Sequence, residues 1–208
     1  MNNSKKQIAL IGGGGHGKVC ASIAEELGYT VVFFDDAFPE VGTCGKWPII
    51  GTKKDLIARI EQFDFSFVAI GNCEIRERIQ NELVAAGFNI ANLISTTASV
   101  HSSIKLGKGI LIVGNACINI GSSIGDGAII NTNAAVDHDC QISAFAHICP
   151  NVALAGEVFV GELTWVGIGS SVIQQLKLGA GSMIGAGSAV INDVPVNTKV
   201  AGCPAKPI

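Results

Sequence analysis

From Val100 to Val190 an aliphatic side chain stands at every sixth position without a miss: Val100, Leu106, Ile112, Ile118, Ile124, Ile130, Val136, Ile142, Ile148, Leu154, Val160, Val166, Val172, Leu178, Ile184 and Val190. In a chain where roughly a quarter of residues are Val, Ile or Leu, such a run has chance odds on the order of one in a billion. A period of six suits neither an α-helix nor a simple strand alternation. It suits a coil of three short strands, each strand and turn taking six residues, with every aliphatic pointing into one interior. The repeat therefore predicts an all-β parallel β-helix over residues 94–208.

The rest of the composition fits that frame. Charged residues make up 15% of the 208 and glycine numbers 26, as a solenoid with buried strands and tight turns requires. No apolar run reaches the roughly eighteen residues of a membrane span. A net charge of −3 gives no electrostatic ground for nucleic-acid binding. Seven cysteines without a CxxC pair predict reduced thiols in a cytoplasm. The start, Met1 to Lys6, leads into a strand without a cleavage site and reads as no signal peptide.

Residues 1–93 carry a different pattern. Residues 7–11 read as a buried strand, Gly12 to Gly17 as a glycine loop, and Lys18 to Leu27 as a helix ended by Gly28. Tyr29 to Phe34 is a second strand, Lys53 to Gln62 a helix, Phe65 to Ile70 a third strand, and Glu74 to Ala86 a helix closed by Gly87. The βαβαβ order predicts an α/β Rossmann-like domain with a parallel sheet, half the size of a full dinucleotide fold.

Gly12, Gly14 and Gly17 satisfy G-x-G-x-x-G between strand and helix, where backbone can approach a diphosphate and a helix N-terminus offers N–H groups to it. Asp35 and Asp36 follow at the distance expected of a ribose-binding carboxylate. A nucleotide attached to some other group suits a half-sized domain better than NAD. His16 is either an incidental loop residue or a donor to the phosphate or the group beyond it. Gly71 and Asn72 end the third strand at the ligand-binding edge of such sheets. Arg76 either faces a phosphate or is a solvated helix charge.

Glycine often follows the aliphatic station, as at Gly107, Gly125, Gly161, Gly167, Gly179 and Gly185. Five successive stations break this habit, with Asn131, Asp137, Ser143, Cys149 and Ala155 in its place. His138, Asp139 and His147 lie in that stretch, and local rules tend to break at functional sites. His138, flanked by Asp137 and Asp139, has the composition of a general base whose tautomer a carboxylate fixes. His147 is either functional or a turn cap, and His101 has no polar company. Nine residues are half a coil, so the two histidines fall on opposite sides of one prism and meet only across an interface between copies. Cys140 and Cys149 are conceivable nucleophiles, but small apolar repeat positions suit cysteine for packing alone.

Several stretches together resemble one family: Gly12-Gly-Gly-Gly-His16-Gly-Lys-Val-Cys20, Phe34-Asp35-Asp36, Ala69-Ile-Gly71-Asn72-Cys-Glu-Ile-Arg76, Asn131-Thr, Asp137-His138-Asp139-Cys140 and Ala201-Gly-Cys-Pro-Ala-Lys206. Over nearly its full length the chain is similar to the bacterial hexapeptide-repeat sugar acetyltransferases related to sialic acid O-acetyltransferase. Within them it most resembles the nucleotide-diphospho-4-amino-sugar N-acetyltransferases. The resemblance implies a left-handed β-helix, a cytoplasmic homotrimer with active sites between subunits, and no metal. It implies transfer of acetyl from acetyl-CoA to a nucleotide-linked 4-amino-4,6-dideoxy sugar of a bacterial surface glycan.

Carried over residue by residue, it makes His138 the base and Asp139 its orienting acid. It assigns the nucleotide sugar to Gly12, Gly14, His16, Gly17, Asp35, Asp36, Gly71, Asn72 and Arg76. Acetyl-CoA falls to Asn131, His147, Gly156, Gly167 and Ala186. Close relatives have Glu on both sides of the histidine, where this chain has Asp. O-acetylation of a sugar hydroxyl would need the same base. A β-helix zinc hydrase would need three convergent ligands, for which His16 and His101 are badly placed. A nucleotide-binding scaffold would need no base at all.

Overall fold

The structure, a computed structural model, describes residues 6–208; the expectation that Met1–Lys5 carries no cleavable leader lies outside the described residues. The chain divides into two compact units, Met1–Thr96 and Thr97–Ile208. Among the described residues no helix is long and apolar enough to cross a membrane.

The first unit is built on three parallel strands, β1 (Gln7–Ile11), β2 (Thr30–Phe34) and, later in the chain, Phe65–Val68, in the order β2, β1, then Phe65–Val68. Ile8 to Ile11 of the central strand are all buried, because helices cover both faces of a parallel sheet. On one face Ala9, Ile11, Phe34 and Val68 pack against Leu56, Ile79, Leu83 and Phe88.

Helix α1 spans Gly15–Glu26, three residues earlier at its start than the apolar pattern predicts. Gly15, His16 and Gly17 thus form its first turn rather than part of a loop. A short hairpin of β3 (Thr43–Cys44) and β4 (Trp47–Pro48) turns at Gly45, where φ is +63°. Two-residue strands are too short to leave a periodicity that sequence reading can detect. The helix expected over 53–62 is interrupted: α2 covers Lys53–Ile57, capped by the Thr52–Asp55 box, and a 3₁₀ turn covers Ile60–Gln62. The third parallel strand, β5 (Phe65–Val68), stops two residues early, and α3 runs from Cys73 to Ala85.

The second unit is a parallel β-helix with three faces. Its first face stacks six strands: Ser99–Val100, Cys117–Ile118, Ala135–Val136, Ala153–Leu154, Ser171–Val172 and Ala189–Val190. The second stacks five, from Lys105–Leu106 to Lys177–Leu178. The third carries Leu111–Ile112, Ile129–Ile130, His147–Ile148, Trp165–Val166 and Met183–Ile184, then Lys199–Ala201 and an antiparallel Lys206–Pro207. From Ser99 to Val190 the paired strands are offset by eighteen residues, as in Cys117↔Ala135 and Ala135↔Ala153; at the end of the stack the offset drops to sixteen, as in Met183↔Lys199.

The aliphatic stations form the interior. From Ile112 to Val190 none is more than 3% exposed. Val100 is half-buried and Leu106 is 37% exposed. They belong to the first coil, which has no coil beneath it.

Two positional rules shape the corners. A side chain on the glycine after a station would run into the next coil: a Cβ at Gly125 would lie 2.6 Å from the Ala144 nitrogen, and one at Gly179 2.5 Å from that of Val196. Two residues further on the backbone turns left-handed, with Gly, Asn or Asp at most such places, as at Gly109, Asn115 and Asn133.

Leu178→Ala removes a fully buried station side chain that rigid coils above and below cannot close over. We expect a loss of about 2–5 kcal/mol in the β-helix unfolding transition, measured by denaturant titration. A loss under 1 kcal/mol would contradict the packing described.

Candidate active site

His138 stands on the corner between the strand Ala135–Val136 and the strand Gln141–Ile142. Three bonds fix it. Its N–H donates to Asp137 Oδ1 at 2.8 Å, its carbonyl accepts from the Glu157 N–H at 2.9 Å, and its ring Nδ1 lies 2.9 Å from Asp139 Oδ2. Asp139 takes the left-handed place of the turn, φ +58°, which swings its carboxylate back to the ring. Gly121 one coil below makes room: a Cβ there would overlap Asp139 Oδ1. With Nδ1–H donating to Asp139, the ring's lone pair is on Nε2, and the side chain is about half exposed, at 49%. The Asp139 bond raises the His138 pKa above the ordinary value, and the Asp137, Asp139 and Glu157 charges add to this. The result is an accessible imidazole of raised basicity with its orientation held from three sides.

Gly156 lies directly over that ring. A Cβ at Gly156 would sit 2.6 Å from His138 Cε1 and nearer still to Nε2. Gly156 is buried, its carbonyl accepts from the Gln175 N–H, and its own N–H has no protein partner among the described residues. A free backbone donor therefore stands beside a ring nitrogen able to take a proton, the pair of groups that acyl transfer requires.

The other residues expected to meet acetyl-CoA lie elsewhere on the prism. Asn131, His147, Gly167 and Ala186 line a groove of about 390 Å³ on the third face, together with Trp165 and Met183. His147 is buried, its ring set edge-on to Trp165 at 4.3 Å, and Asn131 Nδ2 lies 3.1 Å from its Nε2. A donor amide on Nε2 leaves the His147 proton on Nδ1. Gly167 gives the groove a flat floor, since a Cβ would lie 2.6 Å from the Ile184 carbonyl. One chain does not bring His138 and His147 together. A second groove, about 540 Å³, runs along the first face past Asn119, Asp137, Ala155 and Gln174 to the His138 corner. Cys140 is fully buried with Sγ 3.2 Å from the Ala155 carbonyl, and burial pushes its thiol pKa up. It packs and offers no nucleophile.

The glycine motif divides its duties. A Cβ at Gly12, where φ is +108°, would strike Ile70 and the Ala69 carbonyl, and one at Gly17 would overlap the Gly12 carbonyl. These two let β1, α1 and the end of β5 close on one another. Gly14 is the N-cap of α1 with open space around it. Asp35 Oδ2 accepts from the Gly13 N–H at 2.7 Å while its Oδ1 accepts from Ala37; Asp36 accepts from the Lys53 N–H at 3.2 Å. His16 is half-buried in the first turn of α1, and burial, with the Arg76 charge adding, lowers its pKa to about 4. It is neutral at pH 7. Asn72 caps α3, its Oδ1 accepting from Ile75 N at 2.9 Å.

Arg76 requires a correction. It is 0% exposed, so it is neither a solvated helix charge nor a face offered to a phosphate. Its guanidinium donates to the Ile70 and Gly71 carbonyls at 3.0 and 2.7 Å. A long side chain at one helical turn from the strand end folds back over that end, which the charge pattern does not disclose. The sequence reading also missed Asn119, whose signal is its offset of eighteen residues from Asp137.

Known proteins share this fold. The family described as the PglD N-terminal domain matches residues 7–83. The acetyltransferase domain of PglB from Neisseria gonorrhoeae FA1090, solved in complex with acetyl coenzyme A, is 41% identical with a TM-score of 0.94, over 99% of this chain and 100% of that one. A histidine-to-alanine variant of GDP-perosamine N-acetyl transferase from Caulobacter crescentus, in complex with CoA and GDP-perosamine, is 38% identical with a TM-score of 0.93, over 97% and 96%. WeeI from Acinetobacter baumannii AYE, 23% identical with a TM-score of 0.87, over 97% and 99%, shares the fold.

Gly156→Ala would drive the His138 ring off Asp139 without straining the backbone. We expect the His138 pKa, followed by NMR, to fall toward the ordinary value of about 6.5. An unchanged titration would mean that the ring does not rest on Gly156.

Proposed function

The chain belongs to the acetyltransferase family of the PglB acetyltransferase domain and GDP-perosamine N-acetyl transferase, and from that premise we propose that it acetylates the 4-amino group of a nucleotide-linked 4-amino-4,6-dideoxy sugar for a bacterial surface glycan. Acetyl-CoA is the donor. The observation that carries this reading is the His138 imidazole, held by Asp139 with its Nε2 edge close against Gly156, whose N–H has no protein partner among the described residues.

As the amine attacks the thioester carbonyl, Nε2 of His138 takes the amine proton. The carbonyl oxygen gains charge and the Gly156 N–H stabilises it. The carbon–sulfur bond then breaks, and CoA leaves as a thiolate whose conjugate thiol has a pKa near 8.5, so little acid assistance is needed. Acetyl passes directly to nitrogen, in keeping with the buried, raised Cys140 thiol. The unit containing the glycine motif binds the nucleotide, with Gly12, Gly14, Gly17, His16, Asp35, Asp36, Gly71 and Asn72 forming or shaping the pocket.

The separation of His138 from the third-face groove supports a homotrimer in which each site is completed by a neighbouring copy. The first face presents Ser99, Cys117, Ala135, Ala153, Ser171 and Ala189 outward, small side chains that allow close approach. The seven cysteines are all free thiols, which favours a cytoplasmic setting.

Two measurements test the chemistry. His138→Ala should lower turnover of acetyl-CoA with UDP-, dTDP- or GDP-linked 4-amino sugars by a factor on the order of 10² to 10⁴ with the fold intact. Full activity in that variant, or wild-type preference for a hydroxyl acceptor, would overturn the assignment. The base must be unprotonated, so a raised His138 pKa sets the acid limb of kcat/KM above the ordinary histidine value. Asp139→Asn removes the largest cause of the shift and should move that limb to lower pH while reducing the plateau; an unmoved limb would contradict the pairing.

A further inference from the structure

The residue after each aliphatic station is a glycine at many corners because the next coil presses on it. In the column that rises to the His138 corner no glycine occurs: it reads His101, Asn119, Asp137, Ala155, Ile173 and Ile191. Two of these side chains bond each other across one coil. Asn119 Nδ2 donates to Asp137 Oδ1 at 2.9 Å, and the same oxygen accepts the His138 N–H at 2.8 Å. Below them Cys117 Sγ lies 3.6 Å from Asn119 Oδ1, which turns the amide so that its NH₂ group faces Asp137. Both main chains are fixed by the ladder, Asn119 N–H to Val136 O at 3.0 Å and Asp137 N–H to Leu154 O at 3.1 Å. The Asn119 bond, with the His138 N–H, holds Asp137 below the usual carboxylate range, so the oxygen stays an anionic acceptor.

We propose that Asn119 and Asp137 are positioning residues for the base: a side-chain rung from the coil below that anchors the His138 main chain and so sets where its ring stands under Gly156. This rests on the reading of His138 as the base. Asp139 orients the ring and Asp137 orients the peptide that carries it, so the two flanking acids have separate roles. Other rungs on the prism do different work. Asn133–Asn151 and Glu157–Gln175 join left-handed turn positions. The Ser122 hydroxyl, bonded to Asp137 O and Cys140 N, has a counterpart in Ser170, bonded to Gly185 O and Ser188 N, and is part of the solenoid itself.

An exchange of the two side chains gives the test. Asn119→Ala and Asp137→Ala should each lower kcat by about 10- to 100-fold, with KM for acetyl-CoA and for the amino sugar within about twofold of wild type. Asn119→Asp sets two carboxylates against each other and should be as damaging. Adding Asp137→Asn to it rebuilds the rung with donor and acceptor reversed and should bring kcat back to within about threefold. Asn133→Gly breaks a comparable rung away from His138 and should leave kcat unchanged.

Amide hydrogen exchange at His138 reads the rung without turnover and should quicken in both alanine variants. If wild type acetylates no amino sugar, the functional reading fails and the exchange data still decide the rung. Unchanged kcat and exchange in Asn119→Ala, or a doubly exchanged variant no better than Asn119→Asp alone, would overturn the proposal.

Discussion

The pairing of coil strands with those eighteen places on, kept from Ser99 to Val190, is the constraint from which the rest follows. It stacks the aliphatic stations into a continuous interior and sets successive coils about 4.8 Å apart. The same offset makes each corner a column of side chains in register. His138 sits under Gly156 and Asp139 over Gly121 because each pair differs by eighteen. The His138 corner is thus assembled by the backbone ladder, and the side chains need only be short and of the right polarity.

That geometry explains how the glycines partition. Where the next coil presses on the position after a station, a side chain has no room. Where Asn131 or Asp137 stands there instead, the side chain turns outward and bonds a histidine or its main chain. The irregular stretch of the repeat marks where packing uniformity has given way to two polar arrangements, one on the first-face corner and one on the third face. Their separation within a chain is a consequence of half-coil spacing.

Much of this was legible in the sequence, because a strict period in apolar residues directly reports a buried interior. The stations, the parallel β-helix and the βαβαβ order could be read in that way, and the carboxylate beside the His138 ring could be read from the Asp-His-Asp run. Leu106 misled, since periodicity does not say where a stack ends. The β3–β4 hairpin escaped because two-residue strands carry no pattern. Arg76 misleads in the opposite sense: a charge on a helix points to solvent or ligand, while the structure encloses it over the Ile70 and Gly71 carbonyls. Asn119 escaped because its partner lies a full coil away, a separation that local motif reading does not span.

The most direct test of the account is a structure of the chain bound to CoA and a nucleotide-linked 4-amino sugar together. The account predicts the sugar nitrogen within about 3.2 Å of His138 Nε2, with the sulfur end of CoA beside the Gly156 N–H. A complex in which both ligands are ordered and the acceptor amine lies beyond reach of that ring, or nearer another base, would contradict it.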